Sequence, residues 1–115
     1  MTLMVLCTAV YIATRTAGVS ETHDYVRLGA QFGPSLWDGQ FWRLGVSMFL
    51  HGNTLHLVMN LYALYILGWT LEPLLGHRRF LALFLLGGMA GSACSSIIHP
   101  MRVSIGASGA VFALA

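Results

Sequence analysis

Ser104-Ile105-Gly106-Ala107-Ser108-Gly109-Ala110 is a Gly-x-Ser-Gly element set in an apolar stretch, and its reading decides what the surrounding helices are for. A serine beside glycines at the mouth of an apolar helix is an odd choice for packing alone. It is a direct way to expose a nucleophile to a small polar pocket inside a bilayer. Upstream, His51, His56 and Asn60 open a second apolar run. The two clusters make sense together only if the chain folds as membrane helices around a shared polar site.

Composition supports that frame. Of 115 residues, 57% are hydrophobic and 9% charged. A soluble domain carries about 25% charged residues. The mean hydropathy is +0.72, which reads as a membrane protein. Six arginines against four acids leave a net charge of +2 and no basic tract, which argues against nucleic acid as a partner. Cys7 and Cys94 lie in apolar stretches and read as buried, inert thiols rather than a disulfide framework. The N-terminal run resembles a signal peptide only superficially, because Arg15, its first charge, follows the apolar residues instead of preceding them.

Spans are expected near residues 1–15, 54–75 and 80–98, with a fourth beginning at 108 and running to 115. A spanning helix needs about 20 residues, so the first is short. The last supplies roughly 10 Å of helix, about a third of a bilayer. Pro100 ends the third span. Between the first two spans, residues 16–53 hold Tyr25, Phe32, Trp37, Phe41 and Trp42 among scattered charges. Such a mixture suits the headgroup region, so an ordered interfacial loop with short helices is expected. Gly76-His77-Arg78-Arg79 carries the densest positive charge and is expected to face the cytoplasm, which puts the Ser108 and His56 clusters on the opposite side. Gly87 and Gly91 form Gly-x-x-x-Gly in the third span, and Gly109, Ala110 and Ala113 offer a small-residue face in the fourth. Close packing between these two helices is expected.

His56 and Asn60 are four apart and share a helix face, while His51 belongs to the loop side of the helix start, with Asn53 or Thr54 as N-cap. Interfacial capping and inter-helix hydrogen bonding would account for these residues without chemistry. The metal alternative is poor. There is no His-Glu-x-x-His and no neighbouring acid, and zinc wants three or four placed ligands. Ser108 also reads as an ordinary helix N-cap, and that is compatible with a nucleophile held near free backbone N–H groups.

Taken in order, Trp42-Arg43, His51, His56, Asn60, Glu72, Gly76 and Gly106-Ala107-Ser108-Gly109 resemble the rhomboid family of intramembrane serine proteases over about residues 38–115. The resemblance implies an all-α, polytopic, rhomboid-like helix bundle. As a piece of that fold this chain is incomplete, with three spans plus the start of a fourth. It implies peptide-bond hydrolysis in transmembrane protein substrates through a Ser–His dyad and an acyl-enzyme, within the lipid bilayer and with no cofactor or metal. By the same resemblance Ser108 is the nucleophile and His56 and Asn60 serve the oxyanion. His51, Gly106, Gly109, Trp42 and Arg43 support the site. Gln40 stands where many relatives carry an acid, and Phe112 where a tyrosine often lies under the dyad histidine. The family's general-base histidine falls on a later span that these 115 residues do not contain, so the chain alone is expected to be inactive. Two other readings stay open: a rhomboid-like pseudoprotease that binds membrane clients, and a small transporter or channel subunit whose polar residues line a pathway.

Overall fold

A computed structural model describes residues 2–114, apart from the side chain of Phe112. The expectations placed on Met1, on Ala115 and on the Phe112 ring lie outside the described residues. The chain runs α1 (Thr2–Thr16), α2 (Thr22–Leu28), α3 (Gly33–Trp37), α4 (Arg43–Val46), a 3₁₀ turn (Ser47–Phe49), α5 (Thr54–Leu75), α6 (His77–Ile98) and α7 (Ser108–Leu114). Among the described residues the only β-type pairing is an isolated antiparallel bridge between Gln31 and Ser104.

α5 and α6 have 22 residues each. At ~1.5 Å per residue each is about 33 Å long, enough for a hydrocarbon core of ~30 Å. Each buries one narrow stripe: Leu57, Asn60, Leu64 and Gly68 on α5, and Phe80, Phe84, Gly88 and Ser96 on α6. Their other faces stay open and apolar, with Leu55, Trp69, Leu74, Leu86 and Ile97 all strongly exposed. In water so large a patch is a liability, and against acyl chains it is ordinary.

α6 begins at His77, three residues earlier than expected. Gly76 reverses the chain by itself at φ +80°, so Arg78 and Arg79 belong to the first helical turn and not to a loop. His77 contacts Glu72 across this junction.

α6 and α7 approach closely because small residues face each other. Gly91 lies against Gly109, Gly87 against Ala113, and Gly88 against Met48 and Ala110. The same seam runs into the main core of Met48, Leu64, Phe80, Phe84, Ala107, Ala110 and Leu114. α1 packs Leu3 and Met4 against this core and is hydrogen-bonded at its C-terminal end. There Tyr11 shares a 2.7 Å hydrogen bond with Thr54, and Arg15 donates to the Gly52 carbonyl at 2.6 Å. Cys7 is buried, as expected. Cys94 is instead exposed on α6, because the buried stripe of that helix does not include its position.

The segment between α1 and α5 folds as an ordered lobe. Arg43 is its buried organiser. Its guanidinium donates to the carbonyls of Val26 and Ala30 and to Gln40 Oε1, which satisfies a charge that would otherwise be costly to bury. Trp42 stacks beside the same guanidinium at 4.7 Å and is half exposed. A second apolar cluster of Tyr25, Ala30 and Leu50 joins the lobe to Val103 and Ile105 in the connector before α7.

Candidate active site

α5 starts where Asn53 accepts a 2.7 Å hydrogen bond from the His56 backbone N–H, so Asn53 is the N-cap. This fixes His56 in the first turn, with its ring turned toward the connector before α7. There Gly106 adopts φ +104°, a conformation side chains rarely take, and its N–H donates to the Ser47 carbonyl at 2.8 Å. A Cβ on Gly106 would lie 2.5 Å from His56 Cε1 and 2.8 Å from Nε2. Glycine is required here twice, for its φ and for the imidazole that fills its side-chain space.

Two residues later Ser108 opens α7, half buried. Ser108, Gly106, Gly109 and His56 border one cavity of about 440 Å³. Its remaining wall is polar for a site between apolar helices, with Gln31, Ser47, Ser92, Ser95, Ser104 and Arg102 among the lining residues. Ser47 Oγ is buried there without a hydrogen-bond partner.

The other sequence candidates lie around the cavity rather than on it. Asn60 is buried one turn along α5, and its Nδ2 donates to the His56 carbonyl at 2.8 Å. His51 is 1% exposed, and its ring packs 5.3 Å from that of His56. Its Nδ1 sits 3.3 Å from the Phe49 carbonyl, and its Nε2 has no partner. Burial, reinforced by the neighbouring His56, pushes the His51 pKa down from 6.5 to about 4, against the opposing pull of the Phe49 carbonyl. His51 is therefore neutral at physiological pH. Trp42 and Arg43 act in the lobe. His77 lies at the far ends of α5 and α6, and His99 caps the C-terminus of α6 outside the cavity wall. Among the described residues no three His, Cys, Asp or Glu side chains gather as a metal-ligand set.

Sequence reasoning missed Gln31 and the serines of the wall. Ser92 and Ser95 had a signal, because hydroxyls clustered at one end of an apolar span face protein or a water-filled cavity. Gln31 had none. It lies in a long connection, and only the fold carries it to Ser104.

Residues 38–115 match the family model described as the Rhomboid domain. The chain belongs to the rhomboid family. It is 40% identical over 76 residues to "Rhomboid-like protease 5" of Toxoplasma gondii, an alignment covering 66% of this chain and 9% of that protein. It is 37% identical over 95 residues to "Rhomboid protease GluP" of Bacillus subtilis (strain 168), covering 83% and 18%. "Rhomboid-like protease 2" of Toxoplasma gondii is 33% identical over 114 residues, covering 92% and 40%. The chain thus spans less than half the length of these curated relatives. With two helices long and apolar enough to cross a bilayer, this rhomboid domain is part of an integral membrane protein.

Proposed function

We propose that this chain carries the nucleophile half of an intramembrane serine protease that cleaves peptide bonds in transmembrane protein substrates. The observation that carries the reading is that Ser108 and His56 border one polar cavity between apolar helices, in a chain of the rhomboid family. Ser108 Oγ attacks the scissile carbonyl as its proton passes to the base; the C–N bond then breaks, the amine leaves with that proton, and water hydrolyses the acyl-enzyme to free acid and serine. The Ser108 backbone N–H and the His56 ring stabilise the oxyanion. Gly109 lets the start of α7 lie against α6, and Gly106 leaves room for the His56 ring beside Ser108.

Asn60 supports this arrangement through its hydrogen bond to the His56 carbonyl, which leaves the second proton of its amide for the oxyanion. Serine needs a proton acceptor to be an effective nucleophile. His51 is neutral, but it is enclosed and does not border the cavity. The reading therefore takes the acceptor to be a histidine supplied by sequence outside these 115 residues, and takes the chain alone to be inactive. In the polytopic arrangement of this reading, α1, α5 and α6 are spans, α7 is the start of a fourth, and the residue 16–53 lobe lies at the interface. The α5–α6 junction with Arg78 and Arg79 is on the cytoplasmic side.

The test is cleavage of a model transmembrane substrate by the intact protein in proteoliposomes, with and without Ser108→Ala. Loss of cleavage together with loss of fluorophosphonate labelling in the folded variant is expected. Retained cleavage would move the nucleophile elsewhere, and no cleavage by the wild-type protein would reopen the client-binding and transporter readings for this domain.

A further inference from the structure

The connector from His99 to Ala107 decides where Ser108 stands, yet few of its own contacts hold it. One internal backbone hydrogen bond links Arg102 N–H to His99. Its ends belong to the flanking helices, where His99 N–H donates to Ser95 and Ala107 accepts from Val111, and the backbone bonding between them goes to the lobe. Gln31 and Ser104 exchange both backbone hydrogen bonds at 2.9 Å, Gly33 N–H donates to Pro100 at 2.9 Å, and Gly106 N–H donates to Ser47 at 2.8 Å. The lobe, and not the α6–α7 seam alone, thus sets the height of Ser108.

Gln31 is the centre of that attachment. It is 1% exposed and borders the cavity. Its backbone holds Ser104, four residues before the nucleophile. Its side-chain Nε2 donates to both the Ser92 carbonyl and Ser96 Oγ on α6. One buried residue therefore joins lobe, connector and α6. A buried amide whose two protons meet two acceptors has a defined orientation, and losing either acceptor costs its desolvation.

We propose that Gln31 is a positioning residue for Ser108. By clamping Ser104 to the last turns of α6 it holds the connector at the height from which Ser108 meets the substrate. The proposal rests on Ser108 being the nucleophile. A displacement of ~1 Å at a reacting group costs on the order of 10² in rate. The tether acts on the attacking atom rather than on substrate contacts, so its loss falls on kcat and not on KM.

The experiment uses Gln31→Glu, which keeps the side-chain volume and the backbone bridge but replaces the donor with an acceptor facing the Ser92 carbonyl. In the intact protein we expect kcat to fall about tenfold to a hundredfold with KM held within about twofold. Fluorophosphonate labelling of Ser108 should slow in parallel, and the Ser104 and Gly106 amides should exchange with deuterium faster. Ser96→Ala should give a smaller loss, and the double variant should cost less than the sum of the two, since both act on the Gln31–Ser96 hydrogen bond. Should Gln31→Glu fail to fold, Ser96→Ala carries the same comparison. Unchanged exchange at Ser104, unchanged Ser108 labelling beside faster exchange, or additive losses would each overturn the proposal. If wild-type Ser108 neither labels nor cleaves, the protease reading fails instead, and amide exchange alone then decides whether Gln31 holds the connector.

Discussion

Gly106 and His56 occupy each other's space: the imidazole fills the volume that a side chain at position 106 would need, with 2.5 Å between His56 Cε1 and an added Cβ. The backbone before Ser108 and the ring on α5 are therefore set together, and neither moves without the other. Gly106→Ala brings a left-handed strain of about 1–2 kcal/mol and a collision with the ring. Proteolysis is expected to fall by at least about a hundredfold, and Ser108 labelling with it. Near-normal cleavage by this variant would show that the contact does not set the site.

His56 and Asn60 are expected to differ in cost. His56 borders the cavity, whereas Asn60 is bound to the His56 carbonyl. Removing one oxyanion donor costs on the order of 10²–10³ in kcat. His56→Ala should fall in that range and Asn60→Ala should cost less, in steady-state cleavage assays. Equal losses would mean that Asn60 turns toward the substrate.

The α6–α7 seam discriminates between glycines one turn apart. A Cβ on Gly91 would meet Gly109 Cα at 3.6 Å, an ordinary contact, while a Cβ on Gly87 would overlap Ala113. Gly91→Ala should leave thermal stability in detergent near wild type. Gly87→Ala should lower it by about 1–3 kcal/mol, the usual cost of overpacking. The reverse order would place the two helices in a different register.

His51 gives the fold an acid limit. Its folded-state pKa is depressed to about 4 from 6.5, so the unfolded chain binds the proton more readily than the folded one. Stability is then fully present above about pH 6.5 and declines as the pH falls toward 4. His51→Phe keeps a ring against His56 and cannot titrate. Its unfolding midpoint should fall less than that of wild type over this interval. Parallel pH profiles for the two proteins would assign the acid sensitivity to other groups.

Much of the helical frame was legible in the sequence. The bounds 54–75 follow from the N-cap Asn53 and from Gly76, which are local signals. Gly87, Gly91, Gly109 and Ala113 announced the α6–α7 seam, because in lipid only small residues bring backbones together. Residues 16–53 hold the short helices α2, α3 and α4, and no local signal marks where they attach.

Ser108, His56 and Gly106 were likewise recognisable as candidates from residue type and order. Local chemistry therefore determined which residues stand as candidates and which segments became helices, since caps, glycine φ and apolar runs act within a few residues. Only the tertiary structure decided what surrounds Ser108. Gln31 reaches Ser92, Ser96 and Ser104 across more than sixty residues of chain, and Arg43 turns inward to hold the lobe. Those pairings arise because buried donors must find acceptors wherever packing brings them, and a spacing along one chain does not encode that proximity.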